Sequence, residues 1–91
     1  MWILKLSSQF KRDLKRYKFD KSKLEELKKV LDQLQKDGRV DQKYKPHILS
    51  GKYKGYLECH IQNDFLLIWQ DKLNNTIILV RLGSHSELFN N

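Results

Sequence analysis

Three histidines and one aspartate are the side chains of this sequence best suited to acid–base chemistry. His47, His60 and His85 all lie in the second half of the chain, and Asp64 follows closely after His60. An imidazole can donate or accept a proton near neutral pH and attracts phosphate when protonated, while a carboxylate can accept a proton or orient an imidazole. This set suits phosphodiester transesterification of RNA, in which the 2′-hydroxyl loses a proton and the departing 5′-oxygen gains one.

The same side chains allow other interpretations, which the sequence leaves open. The spacing of the histidines matches no common metal-ligand motif, so we predict no metal and no other cofactor. Asp64 could be only a turn residue, and Phe89 could be only a plug at the end of the core. Arg81, at the end of a predicted strand, could hold the negative charge that develops on a phosphate, or could pair with Glu58 across strands.

The positive charge of the chain is concentrated in its first part. The net charge is +7, and all but two of the 18 Lys and Arg residues lie in residues 1–54. Phosphate contacts made by Lys and Arg supply most of the non-specific affinity of nucleic-acid-binding proteins, so nucleic acid is the first candidate partner. A membrane surface, an acidic protein, or a basic surface kept only for solubility are the alternatives.

Length and composition indicate one small domain, residues 1–91. Hydrophobic residues make up 40% of the chain, and no segment approaches the ~18 consecutive apolar residues of a membrane span. Segment 2–6 lacks the features of a signal peptide, and the single cysteine, Cys59, offers no disulfide. We therefore expect a soluble cytoplasmic protein in which Cys59 contributes to packing.

Two helices are predicted in the first part of the chain. Segment 2–6 is a predicted strand, and the serine pair that follows can cap a helix extending to about Lys18. The pattern of Ser22 and Glu25 is typical of a capping box, which predicts the start of a second helix. Gly38 is the predicted end of that helix, because glycine tolerates the left-handed conformation common at helix C-termini.

Three strands are predicted in the second part of the chain. After a polar, irregular segment at 38–55, apolar runs at 56–61, 65–70 and 76–82 are separated by turn-forming residues. Alternation within the first run places His60 on a polar face that is left open. The predicted fold is α+β in the order β-α-α-β-β-β, with an antiparallel four-stranded sheet and two helices packed on one face. On the open face the three histidines could meet in one shallow cleft.

Several short motifs resemble the YafQ branch of the RelE/ParE superfamily of bacterial toxins. They are His47-x-Leu-x-Gly with a following Lys-Gly-Tyr, then His60-x-x-x-Asp64, then Arg81-Leu-Gly-x-His85-x-x-Leu-Phe89. The motifs cover about residues 46–89, and the order of the predicted elements agrees over the whole chain. Gyrase poisons of the ParE type share this fold but typically lack this set of histidines.

The resemblance implies a function and a set of site residues. It implies the toxin of a type II toxin–antitoxin system, an endoribonuclease that enters the ribosomal A site, cuts mRNA without a metal and so inhibits translation. The acid–base and phosphate-contacting positions are His47, His60, Asp64 and His85, and Phe89 helps hold the substrate base. Additional substrate contacts are expected from Arg81, Lys52 and Lys54, while the basic helices hold ribosomal RNA.

Roles and partners follow from the same resemblance. His85 is the expected general acid, Asp64 or His60 the expected base, and His47 a phosphate contact or a second proton donor. The expected partners are the ribosome with its mRNA and a cognate antitoxin with an acidic segment; the free toxin is expected to be a monomer that forms a hetero-oligomer with the antitoxin. No membrane partner is expected. Two other functions stay open: a same-fold toxin that poisons DNA gyrase, and a non-catalytic basic RNA-binding module.

Overall fold

The first strand leads directly into the first helix, as the sequence predicts. The computed structural model describes residues 1–89, so the last two residues of the predicted domain, Asn90 and Asn91, lie outside the described part. β1 (Ile3–Leu6) is followed by α1 (Ser8–Lys15), and the Ser7 hydroxyl caps α1 by accepting a hydrogen bond from a backbone N–H in its first turn. The helix ends before the predicted Lys18, because the next N–H groups bond to carbonyls three residues back and tighten the final turn.

The second helix begins earlier than its predicted capping box. α2 (Lys21–Asp37) has Asp20 as its N-cap, and the Asp20 carboxylate accepts a hydrogen bond from the backbone N–H of Lys23. The prediction of a start at Ser22 was therefore wrong, because an aspartate two residues earlier supplies the same kind of bond. No helix in the described part of the chain is both long and apolar enough to cross a membrane.

The sheet has five strands and is mixed, where the sequence predicts four antiparallel strands. Its order is β1-β5-β4-β3-β2, in which β2 is His47–Ile48, β3 is Leu57–Gln62, β4 is Phe65–Lys72 and β5 is Thr76–Gly83. The last three strands form the predicted antiparallel meander, but β1 pairs in parallel with β5. The α+β class and the two helices on one face agree with the prediction.

Two short elements are absent from the sequence prediction. β2 has two residues, too few to show an alternating pattern, and it pairs antiparallel with β3. α3 (His85–Phe89) has five residues, too few for helical periodicity. A local signal for α3 was nevertheless present: Ser84 and Glu87 form a reciprocal capping box, with Ser84 Oγ accepting from the Glu87 N–H and Glu87 Oε1 accepting from the Ser84 N–H.

Both faces of the sheet carry buried apolar side chains. The larger cluster packs α1 and α2 against the sheet through residues that include Phe10, Leu27, Val30, Leu34, Leu67 and Trp69. A smaller cluster lies on the opposite face and consists of Tyr53, Leu66, Ile68 and Leu88, with Leu49, Tyr56 and Val80 at its margin. The face predicted to be open is therefore partly covered by the segment before β3 and by α3.

Gly38 is the glycine on which the helical layer depends most directly. Its φ of 73° lies in the left-handed region, and a Cβ at this position would lie 2.5–2.9 Å from three atoms of the Trp2 ring. Trp2 packs against the larger cluster and bonds through its backbone N–H to the carbonyl of Gln35 in α2. The absence of a side chain at Gly38 therefore lets the chain before β1 lie close to the end of α2.

We predict that Gly38→Ala destabilises the protein more than Gly55→Ala. Both glycines have positive φ, but a Cβ at Gly55 would have no heavy atom within 4 Å. Both variants lose about 1–2 kcal/mol from backbone strain, and Gly38→Ala loses about 1–3 kcal/mol more because the Trp2 ring must move. Urea unfolding of the two variants and the parent measures the difference. Equal free energies of unfolding for the two variants would show that Trp2 does not constrain this position.

Candidate functional site

The structure brings the three predicted histidines into one row on the sheet face that lies opposite α1 and α2. His47 in β2 pairs with a residue of β3, His60 lies further along β3, and His85 opens α3. The ring centroids of His47 and His60 are 6.1 Å apart, and those of His60 and His85 are 5.8 Å apart. Phe89 extends the row, with its ring 6.1 Å from that of His85. The row is partly exposed, so a substrate can reach it from solvent.

Asp64 holds His85 in place through two hydrogen bonds. It lies in the β3–β4 turn with φ of 51°, and its Oδ1 accepts a hydrogen bond from the backbone N–H of His85 at 2.8 Å. The Nδ1 atom of the His85 ring lies 2.9 Å from the same oxygen. These two bonds, the backbone one first, hold the pKa of the Asp64 carboxyl below its ordinary value. With Nδ1 donating to Asp64, the Nε2 atom of His85 is the nitrogen available for proton exchange.

The short helix that carries His85 is anchored from two sides. Glu87 accepts a hydrogen bond from the hydroxyl of Tyr17, which follows α1, and lies 3.8 Å from the guanidinium of Arg16. Burial and the bond to Glu87 raise the pKa of Tyr17, so its hydroxyl stays protonated and donates. On the other side, Leu88 is buried in the smaller cluster. His85 is therefore held by the fold, as positioned proton transfer requires.

Glu58 belongs to the site although the sequence analysis assigns it no role there. Only 3% of this residue is exposed, and its Oε1 lies 3.1 Å from His47 Nε2 and 3.8 Å from His60 Nε2. Its Oε2 has no hydrogen-bond partner in the part of the chain that the structure describes. Alternation along β3 already placed Glu58 on the same face as His60, and this was the signal that could have found it. The ligand atoms of His47, Glu58 and His60 lie within 4.8 Å of one another, so these three residues could hold a metal ion.

Arg81 lies in a buried network instead of pairing with Glu58. Its Nε and Nη2 donate to the two carboxylate oxygens of Asp13 in α1, at 2.8 and 3.2 Å, and its Nη1 donates to the Tyr53 hydroxyl at 3.0 Å. Asp13 is fully buried, and it also accepts from the backbone N–H of Leu82. Burial by itself raises the pKa of Asp13, but the bonds from Arg81, Leu82 and Gln9 outweigh it, so that the net pKa is lowered. The alternative that paired Arg81 with Glu58 was wrong.

The remaining predicted substrate residues lie around Tyr53. Lys52 and Lys54 are exposed in the segment before β3, and Lys52 Nζ lies 5.4 Å from the centroid of the Tyr53 ring. Phe89 is 38% exposed and packs edge-on against the same ring at 5.7 Å. A half-exposed aromatic ring beside His85 suits the stacking of an unpaired base, and the two lysines suit contacts to phosphate.

The bond between Asp64 and His85 predicts a pH dependence of stability. A carboxyl whose pKa is lower in the folded chain than in the unfolded chain stabilises the fold above the unfolded pKa, and this contribution is lost as pH falls through the folded pKa. We expect the parent to be more stable than Asp64→Asn near neutral pH and the difference to vanish in acid. Urea unfolding of both proteins across the acid range measures this difference, and a difference independent of pH would contradict the assignment.

Comparison with known proteins places the chain in one family. Residues 3–90 match the model of the family described as the bacterial toxin of type II toxin–antitoxin system, YafQ. The mRNA interferase toxin YafQ of Escherichia coli strain B is 33% identical over 91 residues, which cover 94% of each chain. In other matches the chain spans about half the length of the curated relative. The mRNA interferase toxin YafQ of E. coli K12 is 40% identical over 47 residues, which cover 50% of this chain and 49% of the relative.

Solved structures agree with this family. The E. coli YafQ in the crystal structure of the DinJ–YafQ complex superposes with a TM-score of 0.83 at 27% identity, covering 98% of this chain and 99% of that one. A toxin from Helicobacter pylori, described as metal-bound, superposes with a TM-score of 0.80 at 44% identity, covering 98% of this chain and 100% of that one. On these matches and on the arrangement of the site, the chain belongs to the YafQ family of bacterial toxins of type II toxin–antitoxin systems.

Proposed function

We propose that this protein is a ribosome-dependent endoribonuclease that cuts mRNA by metal-independent acid–base transesterification and so inhibits translation. The observation that carries the proposal is the row of three histidines in which His85 is held by Asp64. The relative from E. coli strain B bears the name mRNA interferase toxin, which supports the same activity. Action on the ribosome places the protein in the cytoplasm.

The proposed role of His85 follows from which of its ring nitrogens is not engaged in a hydrogen bond. His85 has Nε2 available while Nδ1 is bonded to Asp64, so we assign it as the general acid that protonates the departing 5′-oxygen. His60, in the middle of the row, is the base that takes the proton of the 2′-hydroxyl, and Asp64 is the alternative base. His47 contacts phosphate or supplies a second proton.

Substrate binding is assigned to the residues around Tyr53. Lys52 and Lys54 contact the phosphates of the message, and Phe89 stacks on a base beside the cleaved bond. Arg81 stays a predicted phosphate contact; its side chain is 15% exposed and its guanidinium already serves Asp13 and Tyr53, so only its remaining N–H groups are free for substrate. The proposed function therefore depends more on the row of histidines than on Arg81.

We propose that the exposed surface of α1 and α2 binds the two larger partners, the antitoxin and the ribosome. Exposed lysines of α1 and of the segment leading into α2 surround an apolar groove that contains Leu24, and beside it the Phe19 side chain is 90% exposed. A basic rim around an apolar groove suits an antitoxin segment that is both acidic and amphipathic. The E. coli relative is seen with the antitoxin DinJ, which supports a protein partner of this kind. Ribosomal RNA would contact the same lysines when the antitoxin is absent.

Mapping of mRNA ends tests the proposed activity. The parent, His85→Ala and Ser86→Ala are induced in cells, and 5′ ends of mRNA are mapped with their reading frame. Ser86 is the exposed neighbour of His85 in α3 and serves as the matched control. We expect cuts in frame with codons for the parent and for Ser86→Ala, and a cleavage rate lower by about 10²–10⁴-fold for His85→Ala, because a positioned general acid contributes on that scale.

Other outcomes would identify the other functions. Unchanged cutting by His85→Ala would exclude His85 as the general acid. Growth arrest with intact messages and a DNA-damage response would indicate gyrase poisoning, and growth arrest with neither would indicate binding without catalysis. Purified protein that cuts free mRNA as fast as ribosome-bound mRNA would contradict the ribosome dependence, and loss of cleavage in a chelator would contradict metal independence.

A further inference from the structure

A pocket adjoins the row of histidines at the outer edge of β3. β2 pairs only with Leu57 and Glu58, whereas β3 continues to Gln62, so the last part of β3 has no strand on its outer side among residues 1–89. A single 3₁₀ turn, Gln42–Tyr44, packs against this edge instead. The pocket between the turn and the strand has a volume of about 430 Å³, within the range of about 300–1,000 Å³ that is typical of ligand sites.

Two lysines line this pocket and have no carboxylate partner in the described part of the chain. Lys43 and Lys45 are exposed on either side of Tyr44, which is buried in the larger cluster and fixes the turn to the core. The ion-paired lysines of residues 1–89 all belong to α2. Among the described residues that line the pocket, Glu26 alone carries a carboxylate, and it lies 3.0 Å from Lys29 Nζ. The uncompensated charge of the pocket is therefore positive, which suits a phosphate.

The pocket is connected to the row of histidines in two ways. The Nδ1 atom of His47 lies 3.0 Å from the backbone carbonyl of Lys45, and because a carbonyl can only accept, His47 donates this bond. His60, in the middle of the row, is itself part of the pocket lining. A ligand in the pocket therefore lies next to the imidazole that we assign as the general base.

Two side-chain amides line the pocket at the end of β3. Gln62 Nε2 donates to the hydroxyl of Ser22 at 3.2 Å, which leaves Gln62 Oε1 able to accept a hydrogen bond from a ligand. Asn63 is exposed in the turn that follows and can both donate and accept. Proteins recognise the bases of single-stranded RNA by hydrogen bonds to base edges, and amide side chains suit such contacts. The pocket thus combines cations for a phosphate with amides for a base.

We propose that this pocket binds the nucleotide on the 5′ side of the cleaved bond, with its two lysines at the phosphate that precedes this nucleotide and its two amides at the base. The proposal rests on the proposed function, in which the 2′-oxygen bonds to phosphorus, its proton passes to His60, and the bond from phosphorus to the 5′-oxygen breaks. The attacking 2′-hydroxyl belongs to the 5′ nucleotide, which therefore lies on the side of His60. The departing 5′-oxygen, which His85 protonates, belongs to the 3′ nucleotide, which lies towards Phe89.

Titration with small nucleotides, followed by chemical shifts of the side-chain amides, tests the pocket without reference to cleavage. The probe is the nucleoside 3′,5′-bisphosphate of each of the four bases, which carries the phosphates on both sides of one nucleotide. The nucleoside 3′-monophosphate lacks the phosphate that we assign to the lysines and is the comparison. We expect the bisphosphate to shift the amides of Gln62 and Asn63 and to bind about threefold to tenfold more tightly than the monophosphate, as two exposed ion pairs would allow.

Lysine variants show which charges are responsible for that difference. Lys43→Ala and Lys45→Ala are each expected to reduce the preference for the bisphosphate. Lys72→Ala is the matched control, because Lys72 is exposed at the far end of β4, and it is expected to retain the preference. Equal affinity of the parent for the two nucleotides, an equal loss in Lys72→Ala, or the absence of shifts at the two amides would overturn the pocket.

Cleavage kinetics separate the pocket from the proposed activity. With ribosome-bound mRNA, Lys43→Ala and Lys45→Ala are expected to raise KM by about threefold to tenfold and to change kcat by less than about twofold, because the lysines bind substrate away from the reacting atoms. An unchanged KM in both variants, with a parent that cuts mRNA, would overturn the pocket and leave the proposed function. A parent that cuts no RNA would instead overturn the proposed function, while the titration would still decide whether the pocket binds a nucleotide.

Discussion

The buried carboxylate of Asp13 is the constraint on which the arrangement of this protein depends. It accepts hydrogen bonds from Arg81 and from the backbone N–H of Leu82, and thereby fixes α1 to the end of β5. Arg81 in turn donates to the Tyr53 hydroxyl, which bonds to the carbonyl of Leu88 at 3.4 Å. One chain of bonds therefore runs from the helical layer through the sheet to α3. Removing one partner of such a buried pair typically costs about 3–5 kcal/mol, so the position of α3 depends on a strong interaction at a distance.

The two buried acids in the described part of the chain, Asp13 and Glu58, have opposite surroundings. Asp13 receives donors from a guanidinium, a backbone N–H and an amide, all in fixed positions. Glu58 is almost as deeply buried, but within residues 1–89 its carboxylate faces only two imidazoles, whose ring nitrogens can either donate or accept a proton. A structural role needs a carboxylate whose partners are permanent, and Asp13 has them. Glu58 is held where its partners can change, which is the property expected of a group that belongs to the reacting part of the molecule.

The sequence predicted the fold well wherever an element was long enough to show its period. The two helices, the meander and the αL glycine at position 38 follow from periodicity and from capping signals. The features that the sequence did not predict are either very short elements or a pairing between strands that are far apart in the chain. β2 and α3 are too short for any period, and the pairing of β1 with β5 joins the two ends of the chain. The four residues predicted for acid–base chemistry follow from their types and from the family resemblance. Glu58 belongs to none of those motifs, and one glutamate on a strand is usually a solvated side chain.

The placement of charge separates the two surfaces of the protein. Glu58 and His60 alternate along β3 with Cys59 and Ile61, which belong to the helix-facing core, so the histidine row lies on the sheet face away from α1 and α2. Positive charge near the row comes from the segments before β3, because Lys43 and Lys45 line a pocket together with His60, and Lys52 packs on Tyr53. A partner bound to the helical layer need not cover the histidines. The bonds of Asp13 and Tyr17 connect the two surfaces, because they join α1 and the turn that follows it to the residues that hold α3.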